Sequence, residues 1–282
     1  MIDQIRAKAR ELLESGQVSC VIGYEEGTRG RVRPAFIYKP EDVDRLVWNE
    51  RCIHNLVVYL RQFARPLKRG EEPPRVAILV KPCDSRSLNV LLQEKQVERE
   101  RVYVIGLACE GMRVDGQLQE RCQRCEDRIP LVYDLLVGEK PQTVGHEDYA
   151  DVEELERMSP RERLDFWLRE LDRCILCYAC RQACPACYCS ECVAEQLDPL
   201  WMGIAIDLPR KWFFHTMRAY HLAGRCAGCN ACEQVCPMDI PLSLIYRKLV
   251  KEVETLFSYK AGLDAETPSP LATFEKGEEL PL

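Results

Sequence analysis

Cys174-Ile-Leu-Cys177-Tyr-Ala-Cys180-Arg-Gln-Ala-Cys184-Pro185 shares its spacing with Cys226-Ala-Gly-Cys229-Asn-Ala-Cys232-Glu-Gln-Val-Cys236-Pro237. Each run is C-x2-C-x2-C-x3-C-P, the bacterial-type ligand spacing for an iron–sulfur cluster. Two residues between cysteines let three thiolates close on one corner of a cubane. The fourth thiolate, three residues further on, points to the other cluster of a two-cluster protein. Crossed pairing therefore predicts one 4Fe-4S cluster on Cys174, Cys177, Cys180 and Cys236. A second 4Fe-4S cluster is predicted on Cys226, Cys229, Cys232 and Cys184. The proline after each last cysteine has no N–H for a continuing helix, so it ends the ligand turn. Zinc sites use paired cysteines with a longer gap, and two complete four-cysteine runs do not fit that pattern.

Outward from these runs, composition sets the bounds. The chain has 282 residues, 46% hydrophobic and 30% charged, with a net charge of −6. That is enough for two domains, or one domain with a large appendage, and for a buried core. A nucleic-acid surface would normally be basic, so none is expected. No apolar run approaches the roughly 18 residues of a membrane span. The start, Met1-Ile-Asp-Gln-Ile-Arg, lacks the apolar core of a signal peptide. The 17 cysteines stand in metal-ligand spacings within a long chain, which favours thiolates on metal over disulfides. A cytoplasmic location is the expectation.

Residues 1–16 read as a short amphipathic helix with Ile5, Ala9, Leu12 and Leu13 on one face. Residues 18–24 and 32–38 read as a hairpin around Gly27-Thr28-Arg29-Gly30. The segment from Pro40 to about Phe63 has mostly helical apolar spacing. It contains Cys52 and His54, read as core packing and surface. Residues 66–74 read as a polar loop. Residues 75–80 and 101–107 are continuously apolar strands flanking a helical stretch, 85–97. Strand, helix and strand at this spacing make a βαβ unit with parallel strands.

That topology has a chemical consequence. Cys83 follows the carboxyl end of the first strand in Lys81-Pro82-Cys83-Asp84-Ser85-Arg86. Cys109 follows the second in Gly106-Leu107-Ala108-Cys109-Glu110-Gly111. Parallel strands put both thiols at one sheet edge, where open α/β sheets bind ligands. Cys122-Gln-Arg-Cys125 comes soon after. Cys83, Cys109, Cys122 and Cys125 are thus a candidate third 4Fe-4S set. The competing reading is that the first two are buried packing residues and the last two hold zinc or nothing. Lys81, Arg86, Arg121 and Arg124 either offset thiolate charge, receive an anionic partner or form a solvated face.

Residues 139–165 are polar and acidic and read as a domain boundary. The expected division is 1–150 (α/β), 160–261 (α-helical two-cluster ferredoxin) and 262–282 (an extended tail). Residues 163–172 lead helically into the first run. Cys187, Cys189 and Cys192 lie outside the eight assigned ligands, and packing and ligation remain open for them. A helix from Pro209 to about Ala223 is expected to turn Trp212, Phe213, Thr216, Met217 and Tyr220 inward. His215 and His221 on that helix read as packing or surface. A further amphipathic helix spans 241–257. The fold class is an α/β N-terminal domain with a parallel βαβ unit, plus a mainly α-helical two-cluster ferredoxin domain.

Pro82-Cys83 after one strand and Gly106-Leu107-Ala108-Cys109 after the next resemble the beta-subunit family of deazaflavin (coenzyme F-420) hydrogenases and dehydrogenases. Formate dehydrogenase beta subunits belong to it. The segment from His221-Leu-Ala-Gly-Arg225-Cys226 to Cys236-Pro237 resembles the α-helical ferredoxin module of heterodisulfide reductase. Here that module follows the α/β part. The resemblance implies FAD, yet the interval between Cys109 and Cys174 is short for a flavin region. No Gly-x-Gly-x-x-Gly fingerprint supplies an independent dinucleotide signal.

The expected function is an iron–sulfur electron-transfer subunit of a multi-subunit redox complex of formate dehydrogenase, hydrogenase or heterodisulfide-reductase type. Its partners would be a catalytic subunit and a flavin-containing or other subunit. The alternative is an FAD-containing oxidoreductase subunit that exchanges hydride with a deazaflavin or nicotinamide coenzyme. The sequence offers no acid, base or nucleophile constellation, so no catalytic residue is assigned.

Overall fold

Val76–Val80 is buried at every residue, as expected of a parallel strand covered on both faces. It forms the centre of a five-stranded mixed sheet in a computed structural model that describes residues 1–64, 72–142 and 145–272. The strands are β1 (Cys20–Glu26), β2 (Val32–Ile37), β3 (Val76–Val80), β4 (Val102–Leu107) and β5 (Leu135–Val137), in the order β2-β1-β3-β4-β5. β1 and β2 form the expected hairpin, with Val21 opposite Ile37 and Glu26 opposite Val32. β1, β3, β4 and β5 run parallel.

Helix α1 (Ile2–Glu14) buries Ile5, Ala9 and Leu12, one helical stripe. Helix α2 (Pro82–Gln93) joins β3 to β4, which completes the βαβ unit. It starts three residues before the expected Ser85. Pro82 occupies the first turn, where its missing N–H costs nothing, and Lys81 is the extended cap.

The helix expected over 40–63 does not form. Pro40–Arg45 and Leu56–Tyr59 are 3-10 turns, and Leu60–Phe63 is a single α turn. The Asn49 side chain accepts from Arg51 N at 2.9 Å, and that of Asn55 from Val57 N at 3.1 Å. Such local bonds compete with the helical ladder. The apolar residues of the segment are still buried, Leu46, Leu56, Val57 and Leu60 among them. Of the expected loop 66–74, residues 66–71 lie outside the described residues.

The chain divides into two units. The first holds residues 1–147 and 262–267, and the second residues 148–261 with those from 268 onward. Residues 262–267 lie along α2, where Asn89 Nδ2 donates to Gly262 O at 3.1 Å.

The second unit is helical: α3 (Ala150–Arg157), α4 (Pro160–Asp172), α5 (Ala179–Gln182), α6 (Leu208–Leu222), α7 (Ala231–Gln234) and α8 (Leu242–Phe257). Helix α4 begins at a capping box, where Ser159 accepts from Glu162 N and the Glu162 carboxylate accepts from Ser159 N. Helix α6 packs on α4 and α8, α5 packs on α7, and α3 packs on α8. The inward face of α6 differs from the expected one. Phe213 and Tyr220 are 46% and 74% exposed, whereas Lys211, Phe214, His215, Arg218 and Leu222 are buried. The buried stripe is partly cationic, so a rule that turns only apolar residues inward picks the wrong side.

Candidate metal centres

The two cysteine runs fold alike. Leu176 (φ 51°) and Gly228 (φ 67°) adopt left-handed backbone two residues after Cys174 and Cys226. Tyr178 (φ 57°) and Asn230 (φ 60°) do so immediately after Cys177 and Cys229, each capping a one-turn helix, α5 or α7. Left-handed residues in such a loop turn successive N–H groups to one side, an arrangement suited to an anion. Leu176 N donates to Cys174 Sγ at 3.4 Å.

Electrostatic influence among the thiols crosses between the two runs. Burial raises the Cys174 thiol, and the neighbouring Cys177 and Cys236 raise it further. Cys180 is pushed up to about 11 by burial, with Cys174, Cys177 and Cys236 adding to the rise. Cys226 is pushed up to about 12 by burial, opposed by the Gly228 N–H and reinforced by Cys229 and Cys184. Burial also raises Cys232 well above the ordinary range, with Cys184, Cys226 and Cys229 acting on it. Cys236 thus acts on two thiols of the first run, and Cys184 on two of the second.

Helix α6 supplies the positive charge. Arg218 is buried and acts on Cys180 in one set and on Cys184, Cys226 and Cys232 in the other. It donates to Cys180 O at 3.0 Å and to the Tyr246 hydroxyl, and its guanidinium lies 4.8 Å from the centre of that ring. Lys211 acts on Cys174 and donates to Asp172 O and Oδ1. His215 Nε2 lies 3.4 Å from Cys174 Sγ. Lys211, His215, Arg218 and Leu222 recur at helical spacing. That polar stripe was the signal available for these residues, and an apolar face search does not register it.

Cys187 meets Cys184: a hydrogen bond between the two thiols lowers Cys187 to about 7 and raises Cys184. Cys187, Cys189 and Cys192 share the wall of a cavity of about 290 Å³ with Arg181 and Arg225.

In the first unit, the four predicted cysteines also gather. Burial raises Cys83 well above the ordinary range, with Arg121 opposing and Cys125 reinforcing it. Cys109 is raised by burial, opposed by the Gly111 N–H and reinforced by Cys122. Cys125 is pushed up to about 11 by burial and then by Cys122 and Cys109. Met112 N donates to Cys122 Sγ at 3.3 Å. Gly106 and Gly111 make room. A Cβ on Gly106 would stand 2.8 Å from Tyr133 Cβ, and one on Gly111 (φ +114°) would stand 2.5 Å from Leu118 Cδ1.

Lys81 and Asp84 beside this set are both fully buried and paired at 2.7 Å. Lys81 also donates to His54 O at 2.7 Å and meets the Tyr24 hydroxyl. Arg121 is buried and donates to Ile53 O at 3.2 Å. Of the four basic residues named from sequence, these two are interior, so the solvated-face reading fails for them. Cys52 is buried, and His54 is half-buried with Nε2 at 3.2 Å from Val32 O.

All 17 cysteines are free thiols. Among the described residues, no three His, Cys, Asp or Glu side chains close around a single metal ion. A cubane spreads its thiolates over four corners and does not require that closure. The donor sets suit it: four sulfurs each, buried or half-buried except at the exposed Cys177, with N–H groups on sulfur and cations nearby. Among the described residues, no helix is long and apolar enough to cross a membrane.

A mixed α/β unit joined to a helical unit, both rich in cysteine, is the class of protein that the fold defines. Two curated relatives narrow this. The chain is 26% identical over 295 aligned positions to the F420-dependent formate dehydrogenase subunit beta of Methanocaldococcus jannaschii, covering 72% of this chain and 77% of the relative. It is 24% identical over 367 positions to the F420-dependent formate dehydrogenase 1 subunit beta of Methanococcus maripaludis, covering 95% and 92%. No family model matches the chain. The longer alignment exceeds the 282 residues here, so that relative carries stretches with no counterpart in this chain.

Proposed function

We propose that this chain is an iron–sulfur electron-relay subunit of a cytoplasmic multi-subunit redox complex, of formate dehydrogenase, hydrogenase or heterodisulfide-reductase type. The observation that supports the reading is that cysteines of each proposed set act electrostatically on one another, with Cys184 acting on the second run and Cys236 on the first. Cys174, Cys177, Cys180 and Cys236 would hold one 4Fe-4S cluster, and Cys226, Cys229, Cys232 and Cys184 a second. Cys83, Cys109, Cys122 and Cys125 would hold a third. Bound clusters supply one-electron exchange, with potentials set by charge, hydrogen bonds to sulfur and burial. The chain's own part is to hold the thiolates, exclude water and place Arg218, Lys211 and Arg121 beside them. The helical unit serves as the ferredoxin module. Partner subunits would provide the catalytic site and a flavin.

A second reading follows from the relatives' printed description as F420-dependent subunits. In it the chain binds FAD and exchanges hydride with a deazaflavin or nicotinamide coenzyme. The positions that the longer relative has and this chain lacks favour the relay. Anaerobic purification with iron, zinc and flavin analysis tests both. The relay predicts about twelve irons per chain and no flavin. About eight irons would remove the third set, stoichiometric FAD would favour the second reading, and zinc in place of iron would sink both.

A further inference from the structure

Cys189-Ser-Glu-Cys192 is a C-x2-C pair that the three proposed ligand sets leave unused. Besides metal sites, that spacing serves dithiols that open and close as a disulfide. Its two sulfurs can meet only if the chain turns back, and the chain bends at both Ser190 and Glu191. Cys189 is exposed, Cys192 is half-buried, and both are free thiols. Both residues line the cavity of about 290 Å³ in the helical unit, which is at the small end of ligand-site volumes. Arg181, Arg218 and Arg225 share its wall, and among the described residues no carboxylate does. Glu195 pairs with Arg181 at 2.6 Å and offsets one of the three charges. Arg181 also donates to Cys189 O at 3.3 Å, which ties a cation to the cysteine's own backbone. Much of the remaining wall is apolar, with Phe214, Met217 and Leu222. A cleft with positive charge on low-dielectric walls concentrates anions.

We propose that Cys189 and Cys192 are a redox-active dithiol that exchanges with a small disulfide carrying carboxylates. The Cys189 sulfur, its proton released to solvent, attacks one sulfur of the compound. The compound's S–S bond breaks and one thiolate leaves. Cys192, losing its proton in turn, attacks the Cys189 sulfur. That frees the second thiolate and closes a Cys189–Cys192 disulfide. The two thiolates take up two protons, and two electrons have passed from the protein pair to the compound. Cys189 enters first because it is the exposed member, and Cys192 resolves. The site goes beyond the relay reading and does not depend on it, since neither cysteine belongs to a proposed ligand set.

The test treats the full chain, purified anaerobically and assayed for iron, with dithiodipropionate and, separately, with cystamine. The two disulfides have chains of similar length but carboxylate and ammonium ends. Tandem mass spectrometry of the peptides is expected to find a Cys189–Cys192 disulfide. With each rate taken relative to that of free mercaptoethanol, dithiodipropionate should react about tenfold faster than cystamine. Cys192→Ser should stop the reaction at one mercaptopropionate on Cys189, and Cys189→Ser should prevent both products. Arg225→Gln should narrow the preference for the anionic disulfide. Glu195→Gln should widen it, and that half-exposed position still reads the charge effect if Arg225→Gln misfolds. Modification confined to Cys187 or to the proposed ligands overturns the inference, as does equal reactivity of the two disulfides. Loss of iron from Cys189→Ser or Cys192→Ser also overturns it, by making the residue a metal ligand. Iron in the parent without this disulfide sinks the present inference alone. The disulfide in a parent without iron sinks the cluster reading and leaves this site standing.

Discussion

Arg218 is a single buried cation shared by two thiol sets, which makes it the residue with the widest reach in the helical unit. A positive charge near a cluster favours the reduced, more negative state. Arg218→Leu should therefore lower the midpoint potentials of both clusters, by about 60 mV if the lost interaction equals one tenfold step for one electron. Arg218→Lys should recover part of the loss, and EPR-monitored redox titration reads both. Cys83 offers a different contrast. Cys83→Ala should remove about four irons per chain, whereas Cys52→Ala should remove none, because Cys52 is a packing residue. Iron assays on the two variants check this. The proposed ligand cysteines were legible in the sequence because their spacing is a property of a short stretch of chain. Arg218 and His215 were not, because they bond to Cys180 O and Cys174 Sγ about forty residues away in sequence, from a helix face that looks like the wrong one.

At the scale of elements, the βαβ unit could be read directly, since two continuous apolar strands and one helix admit one common connection. The helix expected over 40–63 could not, since Asn49 and Asn55 redirect the backbone. Gly111 shows how a loop serves a site. Its φ of +114° and the nearness of Leu118 leave no space for a side chain. Gly111→Ala should cost about 1–3 kcal/mol and lower iron at the third set by displacing Cys122. Denaturant melting and iron assay measure the two effects. The contact of α3 with α8 carries a pH signature. Hydrogen bonds from Lys248 and Lys251 bring the Glu156 carboxyl down from 4.5 to about 2. Its folded-state value is depressed, so the contribution is complete above about pH 4.5 and is lost as pH falls toward 2. Urea denaturation of the parent and Glu156→Gln in parallel should show a stability gap that narrows over that window.

For the whole molecule, residues 262–267 matter beyond their length. Asn89 is buried and donates to Gly262 O at 3.1 Å and Leu263 O at 3.4 Å. Asn89→Leu should destabilise the first unit by about 1–3 kcal/mol through unsatisfied carbonyls, measured by denaturation followed at near-ultraviolet wavelengths. No sequence pattern announced this return, because a proline- and glutamate-rich stretch reads as a tail whatever it lies against. The return also changes how the two halves are strung together. The chain passes from one unit to the other at residues 147–148, again at 261–262 and a third time at 267–268. A single protease cut at 147–148 would leave residues 262–267 on the other fragment, held to the first 147 residues only by noncovalent bonds such as Asn89 to Gly262 O.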